Sequence, residues 1–286
     1  MKHLFLIVTT VLIGNLANAQ LQVSASSGYA LGSATMKLGE RVNASETENT
    51  YGSYGEGVNF QVRGTYFFDE SFGVDLGIGY LHGTDQDISM VNLPDTEVDA
   101  IARARAFGAS ASVVYKFTNN IYGRFGALIK LGGKTEGVVY QKSVFSEAEA
   151  DALGVPQGSY SETNYKEDFH GHFPLGFVGA LGYQYELNSN FSVFVEAEYY
   201  GISLKRKDSE LSAFHTDVKL PDGSVAVNGL YTLENLPDGV VKKTDYVDNL
   251  SNTNTDPSQE LSQKVPYSSF GLNIGVTYKF KRTVKQ

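Results

Sequence analysis

The chain of 286 residues contains no Cys, no Trp and only 7 Pro. The lack of Cys excludes a disulfide framework, a thiolate zinc site and a cysteine nucleophile. Basic residues are also in the minority, with 23 Lys and Arg against 32 Asp and Glu, which gives a formal net charge of −9. A nucleic-acid-binding protein needs a basic face, so we expect no nucleic-acid partner. No stretch beyond the N-terminal segment approaches the roughly 18 consecutive apolar residues of a transmembrane helix.

Glycine and aromatic residues are abundant. The sequence has 30 Gly, 18 Tyr and 17 Phe, and 42% of its residues are hydrophobic. This composition is too apolar for a disordered chain. Aromatic residues favour strands, and here they alternate with small residues, so the composition predicts an all-β protein.

The first 19 residues have the pattern of an export signal. A short basic start precedes an apolar run over residues 4–16, and Ala17, Asn18 and Ala19 form an A-x-A cleavage site. A membrane anchor is the alternative, but the run is shorter than the roughly 20 residues that a spanning helix needs. We therefore predict a signal peptide over residues 1–19, cleavage after Ala19, and a single mature domain over residues 20–286.

Three short polar segments, at residues 68–72, 117–121 and 187–191, read as tight hairpin turns because Asn, Asp and Ser tolerate turn conformations. Apolar residues alternate on both sides of each turn, and they also alternate near residues 21–31 and 270–280. These segments make eight strands, each about as long as the 9–11 residues that cross a bilayer. The other connections, 39–55, 83–99, 133–168 and 204–266, are long. The pattern predicts an eight-stranded antiparallel up-and-down transmembrane β-barrel with short periplasmic turns and long extracellular loops.

The two faces of the predicted strands differ in polarity. One face is aromatic and aliphatic, whereas the other is polar and rich in glycine, which is the reverse of a soluble ligand-binding barrel. The inward positions carry a set of charges that we predict to form a lumen network: Arg63, Asp75, Arg124, Lys130, Glu196 and Glu198. Side chains just fill an eight-stranded barrel, and buried charges must pair, so a closed network of ion pairs is expected. A narrow gated ion path is the alternative, and an open porin is disfavoured by the strand number.

The last predicted strand carries a further pattern. Asn273, Gly275, Tyr278 and Phe280 place a polar residue, a glycine and two terminal aromatic residues at alternate positions. With the eight strands and the polar lumen, this resembles the small outer-membrane barrels of the OmpA transmembrane-domain and OmpX type. The resemblance implies an outer-membrane location, contact with outer-membrane lipid, and recognition of the last strand by the barrel-assembly machinery. We expect a monomer.

The resemblance implies a non-enzymatic protein with a structural role or a surface role in adhesion or envelope integrity. A lipid A-modifying enzyme is the alternative, although the lipid-facing His82 has no carboxylate and Ser partner by spacing. Arg103 and Arg105 have the outward parity of Phe107 and lie beyond it. They are either contacts for lipopolysaccharide phosphates or solvated residues.

The long loops offer the remaining candidate sites. His170 and His172 share a predicted inward parity near the loop end, but no third ligand is placed by the sequence, so we expect no metal and no cofactor. Ser146 and Glu149 form a capping-box pattern with Gly154 as a stop, which predicts a short helix. Two Pro-Asp-Gly sequences predict turns within 204–266. An extracellular ligand would bind through loops 133–168 and 204–266.

Overall fold

A computed structural model describes residues 20–280, so the predicted signal peptide and residues 281–286 lie outside the described part of the chain. Within it, no helix is long and apolar enough to span a membrane. The elements are one helix, α1 (Glu147–Leu153), and seventeen strands: β1 (Gln20–Gly32), β2 (Met36–Asn43), β3 (Thr47–Gly52), β4 (Gly57–Phe67), β5 (Phe72–Gly83), β6 (Gln86–Leu93), β7 (Thr96–Lys116), β8 (Ile121–Val144), β9 (Tyr160–Gly171), β10 (Leu175–Glu186), β11 (Phe191–Gly201), β12 (Ser203–Lys219), β13 (Val225–Thr232), β14 (Lys243–Val247), β15 (Gln259–Leu261), β16 (Lys264–Pro266) and β17 (Ser269–Lys279).

Eight of these strands form a closed antiparallel ring. Each strand pairs with the next in the order β1, β4, β5, β7, β8, β10, β11 and β17, and β17 pairs with β1 to close the barrel. This confirms the predicted eight-stranded up-and-down barrel.

The three predicted tight turns are confirmed, and all use the same device. In each turn, the side-chain oxygen of the first polar residue accepts hydrogen bonds from the backbone N–H groups two and three residues later. Asp69 accepts at 2.7 Å from both, Thr118 at 3.2 and 2.9 Å, and Asn188 at 2.9 Å from both. These bonds hold the backbone in the turn, which is why Asp, Thr and Asn occupy that position. The end of the barrel that carries these turns is called the turn end, and the opposite one the loop end.

The outer surface of the ring is a continuous apolar belt. Leu76, Ile78, Phe125, Leu175 and Ile274 are each between 63% and 75% exposed. Aromatic rings border the belt at both ends. At the turn end, ring pairs include Tyr278 with Phe280 and Phe191 with Tyr278, and at the loop end Tyr80 pairs with Phe107 at 4.8 Å. An apolar band between two aromatic girdles is typical of a barrel that spans a bilayer.

The predicted long loops contain more structure than the sequence indicated. β7 and β8 continue past the belt, and they form an outer sheet with β9 and β12 that is supported by β13 and β14. The predicted helix is confirmed as α1, with Ser146 and Glu149 in a reciprocal capping box and Gly154 in the left-handed conformation at its end. The first Pro-Asp-Gly sequence turns the chain from β12 into β13. The Pro-Asp-Gly sequences predict hairpins in the last loop, and the β12–β13 hairpin confirms this for the first of them. The strands in loop 133–168 were not predicted, because polar residues fall on both of their faces and the alternation is weak.

Candidate functional site

A layer of buried charges crosses the lumen at the level of Glu196. This side chain has no exposed surface and projects inward from β11. Its Oε1 atom accepts a hydrogen bond at 2.6 Å from Arg63 Nη1 and another at 3.1 Å from Arg124 Nη2, while Oε2 accepts at 2.8 Å from the Tyr122 hydroxyl. Arg63 lies on β4 and Arg124 on β8, so one carboxylate joins three different walls of the barrel.

Glu198, two residues further along β11, holds a second cluster. One of its carboxylate oxygens pairs with Arg124, and the other accepts hydrogen bonds from Gln61 at 2.7 Å and Asn273 at 2.6 Å, and from the Tyr200 hydroxyl. Arg124 therefore contacts both carboxylates and is the centre of the layer.

Asp75 completes the layer on the β5 side. Its Oδ2 atom lies 3.8 Å from Arg63 Nε and accepts a hydrogen bond at 2.9 Å from Thr65. Two guanidinium groups thus face three carboxylates, a formal charge of −1. Several buried atoms of these residues, including Asp75 Oδ1 and Arg124 Nη1, have no hydrogen-bond partner among residues 20–280. They border a cavity of about 30 Å³, which has room for a bridging water.

Lys130 is the one predicted lumen residue that the structure places apart from the layer. It lies on β8 toward the loop end, half-buried, with its Nζ atom 5.4 Å from the centre of the Tyr267 ring. It borders a cavity of about 110 Å³. Its inward parity was predicted correctly, but it lies too far along the strand to join Glu196 and Glu198, which face Arg124.

Apolar side chains close the lumen on both sides of the charged layer. At the turn end, Phe67, Val114 and Tyr122 pack together, and the Lys116 ammonium lies 4.0 Å from the Phe67 ring centre. At the loop end, a larger buried cluster fills the barrel mouth: Tyr54, Ala102, Ala104, Leu204, Val265 and Tyr267. The charged layer of the lumen thus lies between two clusters of buried, mostly apolar side chains.

Two lumen glycines make room for aromatic rings of this core. A Cβ atom at Gly275 would lie 2.5 Å from the Phe194 ring and from the Ala25 carbonyl oxygen. A Cβ atom at Gly182 would lie 2.3 Å from the Tyr122 ring. Both contacts are shorter than packing allows, so the absence of a side chain at these positions is what admits the rings.

The four residues predicted as an assembly signal divide between the two surfaces of β17. Asn273 and Gly275 face the lumen, where they bond Glu198 and accommodate Phe194. Tyr278 packs against Phe191 and Phe280 in the outer aromatic girdle of the turn end. Each position therefore has a packing role in the folded barrel, whatever role it has during assembly.

Arg103 and Arg105 lie on the outer face of β7, just beyond the loop-end girdle. Arg103 is paired with Glu136 at 2.8 Å and with Asp85 at 3.5 Å. Arg105 donates only to backbone carbonyls, those of Gly83 and Ala104. Both residues have the predicted outward orientation, but only Arg105 has no carboxylate partner among the described residues.

The predicted inward pair of His170 and His172 is not present, and His172 is exposed in the segment between β9 and β10. His170 does not face the lumen. It is partly exposed on the outer face, with Nδ1 2.8 Å from Asp208 Oδ1, because β9 ends at Gly171 and its inward parity differs from that of β10. Residues 20–280 contain no group of three side chains suited to a metal ion. His82 is exposed, and its Nδ1 atom lies 3.3 Å from the Tyr80 hydroxyl on the same strand.

A second candidate site lies in the outer sheet, within the loops 133–168 and 204–266 through which an extracellular ligand is predicted to bind. A cavity of about 730 Å³ is lined by residues of β8, β9, β12, β13, β14 and β15 and by α1. Its charged lining residues are Glu149, Glu167 and Glu260.

Among known proteins, only solved structures resemble this chain in the comparisons made. No protein-family model matches the chain, and a search of curated proteins found no significant match. Solved structures with similar folds include Ail, the attachment invasion locus protein of Yersinia pestis (10% identity, 92% of this chain and 99% of that chain, TM-score 0.32), the outer membrane protein OprG from Pseudomonas aeruginosa (13%, 93% and 98%, 0.35) and Neisserial surface protein A (11%, 92% and 97%, 0.26). These are small outer-membrane β-barrel proteins, the group that the sequence resembles. At such TM-scores they carry no information on function, and the barrel is established by its own strand pairing.

Proposed function

We propose that the chain is a non-enzymatic outer-membrane barrel with a closed lumen that acts at the cell surface through its outer sheet. The observation that carries this proposal is the buried layer in which Arg63 and Arg124 join Glu196 and Glu198 across the interior. Charges that are desolvated and paired in this way stabilise one closed arrangement, because separating them leaves an uncompensated charge in a narrow space. The lumen then serves as a scaffold, and the extended loop end serves for interaction.

The orientation in the membrane follows from the unequal lengths of the connections at the two ends of the barrel. The turn end faces the periplasm in this proposal, and the outer sheet faces the medium, as in barrels with short periplasmic turns. Arg105 is then at the level of lipopolysaccharide phosphates. It is a better phosphate contact than Arg103, whose charge is already paired with Glu136.

Planar-bilayer recording of the purified protein tests the closed lumen. We expect no large, steady conductance from the unmodified barrel, and occasional narrow openings in an Arg124→Gln variant, in which one link of the layer is missing. A large, steady conductance of the unmodified protein would overturn the closed-lumen proposal and assign a pore function.

The enzymatic alternative has a separate test. Lipid A extracted from cells with and without the protein should have the same mass spectrum if the protein is not a lipid-modifying enzyme. A change in lipid A mass that depends on His82 would reverse that conclusion.

A further inference from the structure

We infer that the cavity of the outer sheet binds a small amphipathic cation, that is, an apolar or aromatic molecule with one ammonium group. This deepens the proposed function, on which it rests, by naming the kind of ligand that the surface-exposed end would take. The cavity of about 730 Å³ is within the roughly 300–1,000 Å³ of ordinary small-molecule sites.

Aromatic and aliphatic side chains form much of the cavity lining. The rings of Tyr165 and Phe214 stack with their centres 5.7 Å apart, and the buried Leu211 is also part of the lining. The neighbouring strand β13 adds Leu230 and Tyr231, and the segment after it adds Val240. Flat aromatic and branched aliphatic surfaces around one cavity fit a ring or a hydrocarbon body.

The charges of the lining have one sign. Its ionisable groups at neutral pH are the carboxylates of Glu149, Glu167 and Glu260, and no Lys, Arg or His is among the lining residues. Glu149 is already engaged, because its Oε2 atom accepts hydrogen bonds from the Ser146 backbone at 2.9 Å and hydroxyl at 2.7 Å. Glu167 and Glu260 remain as acceptors for a cation.

Glu167 is the better placed of the two. It is half-buried on β9, whereas Glu260 is exposed. Burial raises the pKa of the Glu167 carboxyl above its ordinary value, and Glu260 adds to this, while Ser209 and Arg206 of β12 lower it. The Arg206 guanidinium does not enter the cavity lining, because it stacks 4.7 Å from the Phe169 ring centre and 5.6 Å from that of Tyr246. A ligand ammonium would therefore compensate a carboxylate that the protein leaves without an ion pair among its described residues.

The contrast with the lumen supports this assignment. Glu196 and Glu198 are buried with their own arginines, whereas the half-buried Glu167 faces an open cavity and a second carboxylate. A neutral ligand would fill the apolar volume but would leave this charge uncompensated, and an anionic ligand would add to the repulsion. Complementarity of charge therefore selects a cation.

Three probes with one carbon skeleton test the proposal: 4-phenylbutylamine, 4-phenylbutan-1-ol and 4-phenylbutyrate. Titration calorimetry of the purified barrel in nanodiscs should give the tightest binding for the amine and the weakest for the carboxylate. Glu167→Gln should weaken binding of the amine by about tenfold to a hundredfold, the range of a charge-assisted hydrogen bond, and should leave binding of the alcohol unchanged.

Two further variants separate the cavity from the rest of the surface. Leu230→Trp, which places a larger side chain in the cavity lining, should weaken binding of both the amine and the alcohol. Glu136→Gln is the matched control, because this carboxylate lies on the outer rim away from the cavity and is paired with Arg103 and Lys134; it should change neither affinity. Each variant should retain the heat-modifiable gel mobility of a folded barrel.

Equal affinity for the amine and the alcohol, or an amine affinity unchanged by Glu167→Gln, would overturn the proposal. Binding of an oligolysine peptide in place of all three probes would assign the surface to a basic polypeptide and would equally reject a small ligand. These failures are distinct from failure of the closed-lumen proposal, which bilayer conductance decides independently.

Discussion

Replacing Arg124 with Gln removes one of the two guanidinium groups of the lumen layer. The formal charge of the layer then changes from −1 to −2, and Glu198 loses its cation while keeping hydrogen bonds from Asn273 and Gln61. Glu196 keeps Arg63 at 2.6 Å. Breaking a buried ion pair by removing one partner costs about 3–5 kcal/mol, so the free energy of unfolding should fall by about that amount.

Because the chain has 18 Tyr and no Trp, unfolding is best followed in lipid vesicles by far-UV circular dichroism and gel mobility as urea is raised. The control is Glu136→Gln, whose carboxylate is 15% exposed and whose partners Arg103 and Lys134 are 26% and 34% exposed. Arg103 keeps Asp85 and Lys134 keeps Asp168 as a partner in this variant. Ion pairs in contact with solvent contribute about 1 kcal/mol or less, so the urea midpoint of this variant should fall much less than that of Arg124→Gln.

The partner that should rescue Arg124→Gln is Glu198. The Arg124→Gln, Glu198→Gln double variant restores the formal charge of −1 and leaves Glu196 on Arg63, so it should recover about 0.5–3 kcal/mol, the usual range for coupled neighbours. Two outcomes would refute this reasoning. One is an Arg124→Gln barrel within about 1 kcal/mol of the unmodified protein, and the other is a double variant no more stable than the single one.

Three further predictions follow from the outer girdle, the lumen packing and the loop end. The double variant Tyr278→Ala, Phe280→Ala should reduce the amount of heat-modifiable folded protein in the membrane. Tyr51→Ala, which removes a ring 64% exposed in the β2–β3 hairpin, should not. Equal yields of the two variants would show that the assembly machinery does not recognise the last strand. Gly275→Ala should lower the urea midpoint because its Cβ meets the Phe194 ring at 2.5 Å, and Phe194→Leu should restore part of it; an additive double variant would exclude this contact. Protease added to intact cells should cut first within residues 248–258, which lie between β14 and β15, and later within the paired β12; cleavage at the turn over residues 117–120 from outside would reverse the orientation.

The barrel could be predicted from the sequence because each of its strands separates lipid from a polar interior. Because of this contrast, apolar and polar residues alternate along each strand. In β17, for example, Leu272, Ile274 and Val276 are exposed while Asn273 is buried. The tight turns and α1 were predictable for a related reason, since turn and capping chemistry is local. Parity along a strand also identified the residues that face the lumen.

Apart from the hairpin at the first Pro-Asp-Gly sequence, the strands of the outer sheet could not be predicted, because they lack that contrast. In β9, polar residues such as Glu162, Lys166 and Glu167 fall on both faces, and the strand is held by pairing with β12, about forty residues later in the chain. The alternation of faces also cannot be extended across a break between strands. The chain is interrupted between β9 and β10, so extending the inward positions of β10 back to His170 places this residue on the wrong face. The cavity beside Glu167 depends on these long-range pairings, so no local pattern reveals it.

The carboxylates of the barrel lumen and those of the outer sheet differ in whether they form ion pairs. In the lumen, Glu196 and Glu198 are buried and form ion pairs with Arg63 and Arg124. Glu167, at the loop end, is a half-buried carboxylate without an ion pair among residues 20–280, and it borders the cavity of about 730 Å³. A ligand gains most where the protein has left a charge uncompensated, and this supports our proposal that the outer sheet binds a ligand while the barrel anchors it.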